Sequence, residues 1–186
     1  MKPRIRYLLI CLLCAVPLAI GTPDTKAEEP LKFPTTRKEI TEELGKTPSK
    51  SPLGNPKGFG SSKGPGEIVN DDRPRVGALI HFDFDSDAIK PESHSLLREY
   101  GASFSEDLPD AVFIIEGHAD STGTDEYNKW LSYRRAESVK KFLVRNFDIK
   151  SSRLTIEAYG ERRPRKSNAT EAGRAYNRRV EFVRVK

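Results

Sequence analysis

The sequence predicts an α/β fold of the sandwich kind, with helices packed on a sheet. Three observations carry that prediction. From about residue 76 onward, short apolar or alternating stretches take turns with longer stretches of helical periodicity. That texture continues for about 110 residues to the C-terminus, a normal domain length, without an internal repeat. Before it lies "GKTPSKSPLGNPKGFGSSKGPG" (residues 45–66), where ten of 22 residues are Gly or Pro, so no packed core can form there.

In chain order, residues 1–27 read as an export signal. "MKPRIR" is a short basic segment, and "YLLICLLCAVPLAIG" is an uncharged apolar run of 15 residues. That run is shorter than the roughly 20 residues a spanning helix needs. Cleavage is expected after Gly21 or Ala27. Both cysteines, Cys11 and Cys14, fall inside the segment, so the rest of the chain has no disulfide or thiol chemistry. Ile10 and Leu13 precede them, where a lipidation signal would want a small residue.

Residues 28–75 are expected to form a flexible tether with one short helix at 36–45. Thr36 and Glu39 make a capping-box pattern, Ile40 and Leu44 lie four apart, and Gly45 stops the run. Such a helix is marginal alone, and its apolar pair would need a partner surface. The domain is set at 76–186. "ALIHFDF" alternates Ala78, Ile80, Phe82 and Phe84 on one face and reads as the first strand. Residues 91–104 read as a helix with Pro91 in its first turn. "AVFIIEG" reads as a buried strand, "DEYNKWLSYRRAESVKKFLVRNF" as a long amphipathic helix, and "RLTIEAYG" and "RRVEFVRV" as two further strands.

Charge excludes little by itself. The chain carries +5, but residues 1–27 hold four basic residues and one acid, leaving 28 basic against 26 acidic, a net of +2. A nearly balanced body argues weakly for nucleic acid. Residues 157–186 carry nine basic and four acidic residues, yet export and the lack of aromatic-and-basic interleaving count against a nucleic-acid surface. Of Arg178 and Arg179, strand alternation turns one inward and one outward.

The long helix holds the functional signal. Leu131, Val139, Phe142 and Leu143 share one stripe, and Asn128 and Arg135 fall on that stripe too. An arginine there must pair or reach solvent through a cleft. Helical side chains lean toward the N-terminus, so Arg135 points back toward the loop "GHADSTG" (residues 117–123) and its Asp120. Two outcomes stay open at this point. Asp120 and Arg135 could grip the ammonium and carboxylate of one ligand, or they could form an internal salt bridge. Trp130 lies on the opposite, outward face.

"HFDFDSDAI", "IEGHADSTGTDEYNKWLSYRRAESVKKFL", "YGERRP" and "NRRVEF" resemble, in order and spacing, the OmpA-like C-terminal domain of bacterial envelope proteins. The resemblance implies a βαβαβ-type domain, a mixed four-stranded sheet with helices packed on one face. It implies non-covalent binding of peptidoglycan through the meso-diaminopimelate of the peptide stem, anchoring an envelope protein or complex to the wall. By the resemblance, Asp120 takes the amine, Arg135 the carboxylate, Asn128 and Leu131 line the pocket, and Asp85 adds a polar contact. Ala119 departs from the family's usual threonine. The expected location is the periplasm, on the cell wall, with the outer membrane left open as a further attachment.

Three readings compete. The first is wall binding without catalysis or cofactor, with an envelope protein as a further partner through the N-terminal tail. The second is a protein-interaction module with a vestigial pocket. The third is a metal-dependent hydrolase drawing on His81, Asp83, Asp85, His118 and Asp120, which supply residue types but match no metal motif of known spacing. No metal is expected, and His118 is read as a hydrogen-bonded structural residue.

Overall fold

The computed structural model describes residues 30–46, 73–83 and 85–186. The expected export signal (1–27) and the Gly/Pro-rich part of the expected tether (47–72) lie outside the described residues. The elements run α1 (Arg37–Leu44), β1 (Arg75–Ala78), a 3-10 turn (Pro91–Ser93) leading into α2 (His94–Ala102), β2 (Phe113–His118), α3 (Asp125–Phe147), β3 (Leu154–Gly160), α4 (Glu171–Asn177) and β4 (Val180–Arg184).

The four strands form one mixed sheet in the order β1-β4-β2-β3. β4 is antiparallel to β1 and to β2, while β2 and β3 are parallel and joined through α3. Side chains alternate across this sheet. Phe113, Ile115 and Phe182 face the helices and are fully buried. There Phe104 stacks on Phe113 at 4.0 Å and Tyr100 on Phe182 at 4.6 Å. α3 runs so close to β2 that a Cβ on Gly117 would sit 2.1 Å from the Ser132 carbonyl oxygen. Only glycine allows that approach.

α3 matches its expected limits. Thr124 caps it by accepting the Tyr127 N–H, and Asp148, in a left-handed conformation at φ 52°, ends it. α4, capped by Thr170, was not anticipated from the sequence. It has only seven residues, and their pattern is too short to show a period.

Two expectations need correction. The first strand does not run through "ALIHFDF": it spans Arg75–Ala78. Its strand partner among the described residues, β4, begins at Val180, which pairs with Ala78, so the ladder ends there. Ala78 and Ile80 still point inward, Phe82 makes an isolated bridge to Ile89, and Phe84 lies outside the described residues. The chain then turns at Asp85, at φ 53°.

The second correction concerns the domain start at residue 76. Residues 31–46 are part of the folded body. The capping box of α1 forms as expected, and Ile40 and Leu44 are fully buried in the main core. Lys32 bridges Val76 beside β1. Arg37 is clamped by Asp107 and Glu106 at 2.5 and 2.7 Å, and Arg184 donates to the Leu44 carbonyl at 3.1 Å. The apolar pair that needed a partner surface finds it on this domain, each side chain contributing about 1.5–3 kcal/mol of burial.

Candidate functional site

The parallel pair β2 and β3 ends on one edge of the sheet, where open α/β sheets place their ligand crevices. There Ala119 donates to the Gly160 carbonyl at 2.8 Å, which fixes the first residue of the loop entering α3. Ala119 is itself buried. The loop delivers Asp120, only 7% exposed, beside the first turn of α3.

Asp120 is held by three neighbours. Oδ1 accepts the Thr122 N–H at 2.8 Å, Oδ2 accepts Arg178 Nη1 at 2.7 Å, and its carbonyl accepts Asn128 Nδ2 at 3.1 Å. Burial works to raise the pKa of this carboxyl. The hydrogen bonds from Arg178 and Thr122 together outweigh burial and hold it below the ordinary aspartate value. Asp120 is therefore an anion at neutral pH.

Arg135 is half-buried. Its Nε donates to the Ser86 carbonyl at 3.1 Å, and its guanidinium lies 5.0 Å from the Phe82 ring centroid. Burial and the nearby Arg178 charge lower its pKa, while Asp120, Asp85 and Asp87 oppose them. Among the described residues it forms no ion pair. The internal Asp120–Arg135 salt bridge, one of the two outcomes left open by the sequence, is not made. Asp120 pairs with Arg178 instead.

The structure thus brings Asp120, Asn128 and Arg135 to one end of the sheet. Asp85 lies in the exposed turn beside them, close enough for its charge to act on Arg135. Asn128 is buried and also donates to Glu161 at 2.7 Å. Leu131, 8% exposed, lies between Asn128 and Arg135 on the inward face of α3. Sequence reasoning missed Arg178, whose other amino group is tied to Glu171 on α4 at 2.7 Å. Strand parity left open which of Arg178 and Arg179 turns inward; it is Arg179, at 2% exposure, and parity could not aim Arg178 across 58 residues at Asp120.

The five residues weighed as metal donors do not gather. His81, Asp83 and Asp85 are exposed, whereas His118 is buried on the sheet face away from α3. Among the described residues, metal-ligand spacing occurs at Glu116, His118 and Glu181. Arg75 donates to both carboxylates at 2.7 Å, and Arg165 and Arg179 also pair with Glu181. Three guanidiniums lie against these carboxylates and repel a further cation, so the residues do not fit a metal. His118 also differs from expectation: its ring nitrogens make no hydrogen bond. It is held by stacking on Tyr159 at 5.5 Å.

Sheet order, crossover and site together define an OmpA-family domain. Residues 81–178 match that family, and the chain belongs to it. Among its relatives, outer membrane porin F of Pseudomonas fluorescens is 47% identical over 107 residues, covering 58% of this chain and 32% of the porin. The peptidoglycan-associated lipoprotein of Pseudomonas aeruginosa is 33% identical over 129 residues, covering 67% of this chain and 74% of the lipoprotein. The chain therefore spans about a third of the porin but most of the lipoprotein. The crystal structure of the peptidoglycan-associated lipoprotein from Burkholderia pseudomallei aligns with a TM-score of 0.50 at 31% identity, over 56% of this chain and 87% of that one. A MotB-like protein from Desulfovibrio vulgaris aligns with a TM-score of 0.51 at 26% identity, over 59% and 72%. Among the described residues, no helix is long and apolar enough to cross a membrane.

Proposed function

We propose that this chain binds peptidoglycan non-covalently, holding the free amino-acid end of diaminopimelate between Asp120 and Arg135. It thereby anchors an envelope protein or complex to the wall from the periplasm. One observation carries the reading: a buried aspartate and a half-buried arginine lie near enough for their charges to interact, yet form no salt bridge with each other. Among the described residues Arg135 hydrogen-bonds only through Nε, so its two terminal amino groups suit a ligand carboxylate bidentately. Asp120 accepts two bonds at its oxygens, of the about four that a carboxylate can accept, leaving room for an ammonium. Asp85 adds negative charge, Asn128 fixes the loop and Leu131 closes the cleft floor. Ion pairing and hydrogen bonding suffice, with no bond made or broken. The likeness to a lipoprotein named for its association with peptidoglycan supports the polymer.

A second reading, an envelope protein-interaction domain with a vestigial pocket, draws on the Arg178 contact, which already partners Asp120. Sedimentation with purified sacculi decides between them. The expected result is binding to diaminopimelate-type but not lysine-type walls, with Asp120→Ala and Arg135→Ala each losing about tenfold or more. Equal sedimentation of wild type and both variants would sink the cleft reading.

A further inference from the structure

Trp130 is 52% exposed and Tyr127 is 36% exposed, on the outward face of α3 where none of the core packs. Their ring centroids are 5.7 Å apart. Arg134 lies over the indole at 5.7 Å and is fixed there by Asp87 at 3.0 Å. Asp87 follows Ser86, whose carbonyl holds Arg135. At the other end Gly123, at φ 100°, packs beside Tyr127 and Asn128: a Cβ there would meet a side-chain atom of each at 3.6 Å. The rings thus border the site from the outward face of α3, through the loop that holds Arg134 at Asp87 and Arg135 at Ser86.

We infer that Tyr127 and Trp130 form a stacking surface for the amino-sugar rings of the glycan strand that carries the stem peptide. The inference rests on the proposed binding of the stem. A pyranose presents an apolar face of C–H groups carrying partial positive charge, which suits the negative face of an aromatic ring. Its rim of hydroxyls and amides needs donors and acceptors at the edge of the rings, and Arg134 and Asp87 supply them. A protein partner of standard size would bury far more area than two rings offer. The glycan, by contrast, is brought to this face whenever its stem enters the cleft.

The chain has a single tryptophan, so the emission of the full chain reports on this surface directly. Titration with peptide-free glycan chains is expected to change Trp130 emission saturably, in wild type and in Asp120→Ala alike. Trp130→Ala is expected to weaken sacculus binding about five- to tenfold while leaving binding of the free stem peptide unchanged. Trp130→Phe keeps a ring and retains most of the affinity. A flat emission trace with glycan, while the stem peptide still binds, overturns the inference and spares the cleft. Wild-type sacculus binding by Trp130→Ala overturns it as well. Self-association that disappears in Trp130→Ala assigns the face to a second copy and overturns it too. A glycan response without any stem-peptide binding supports the ring surface and sinks the diaminopimelate reading instead.

Discussion

Arg178 is the residue on which the state of Asp120 depends. Asp120 is nearly buried, and burial alone would push its carboxyl toward the neutral form. The hydrogen bonds from Arg178 and Thr122 reverse that, and Glu171 fixes the other side of the guanidinium. Replacing Arg178 with Gln removes a positive charge 2.7 Å from the carboxylate. The expected outcome is an upward shift of the Asp120 pKa from its lowered position, read by NMR titration of the carboxyl carbon. Wall binding would then fail earlier as pH falls. An unmoved Asp120 titration would show that Thr122 and solvent suffice to keep it ionised. Arg135 was legible as a candidate because a charged residue on the inward stripe of a helix demands a reason, and Asp120 because its loop feeds that helix. Arg178 gave no such signal, because strand parity says which face a side chain takes and not which carboxylate waits there.

At the scale of elements, α1 separates local from tertiary information. Its capping box and its Ile40–Leu44 spacing announce a helix, and both are realised. Where the helix goes is decided by Asp107 and Glu106, about 70 residues away, and by the core beneath it. Ile40→Ala and Leu44→Ala should each destabilise the domain by about 2–5 kcal/mol, the range for emptied core sites. Urea unfolding followed by circular dichroism measures this, and a change near zero would restore the picture of a free tail. α3 was readable from end to end because 23 residues show a period clearly. β1 was misplaced because alternation of side chains persists in extended chain that has lost its ladder partner.

For the whole molecule, the sheet face away from α3 sets the pH response. His118 faces Glu116, Glu181, Arg75, Arg165, Arg179 and Tyr159 within a buried polar cluster. Burial drives its pKa below the ordinary 6.5, outweighing the carboxylates. The unfolded chain therefore binds the proton first as pH falls, so this contribution to stability is present above about pH 6.5 and is lost progressively below it. The urea midpoint should drop between about pH 7.5 and 5.5, and His118→Gln should flatten that slope. A wild-type slope retained in the variant would move the effect to another group. By itself the sequence determined three of the four strands, the long helix, and the placing of Asp120 in the loop before that helix with Arg135 on its inward stripe, because periodicity and helical geometry act over a few residues. Only the tertiary structure decided that α1 belongs to the core, that Arg178 rather than Arg135 pairs with Asp120, and that His118 turns away from the cleft. Those outcomes depend on contacts between residues tens of positions apart, and no local pattern encodes which distant group desolvates or neutralises which.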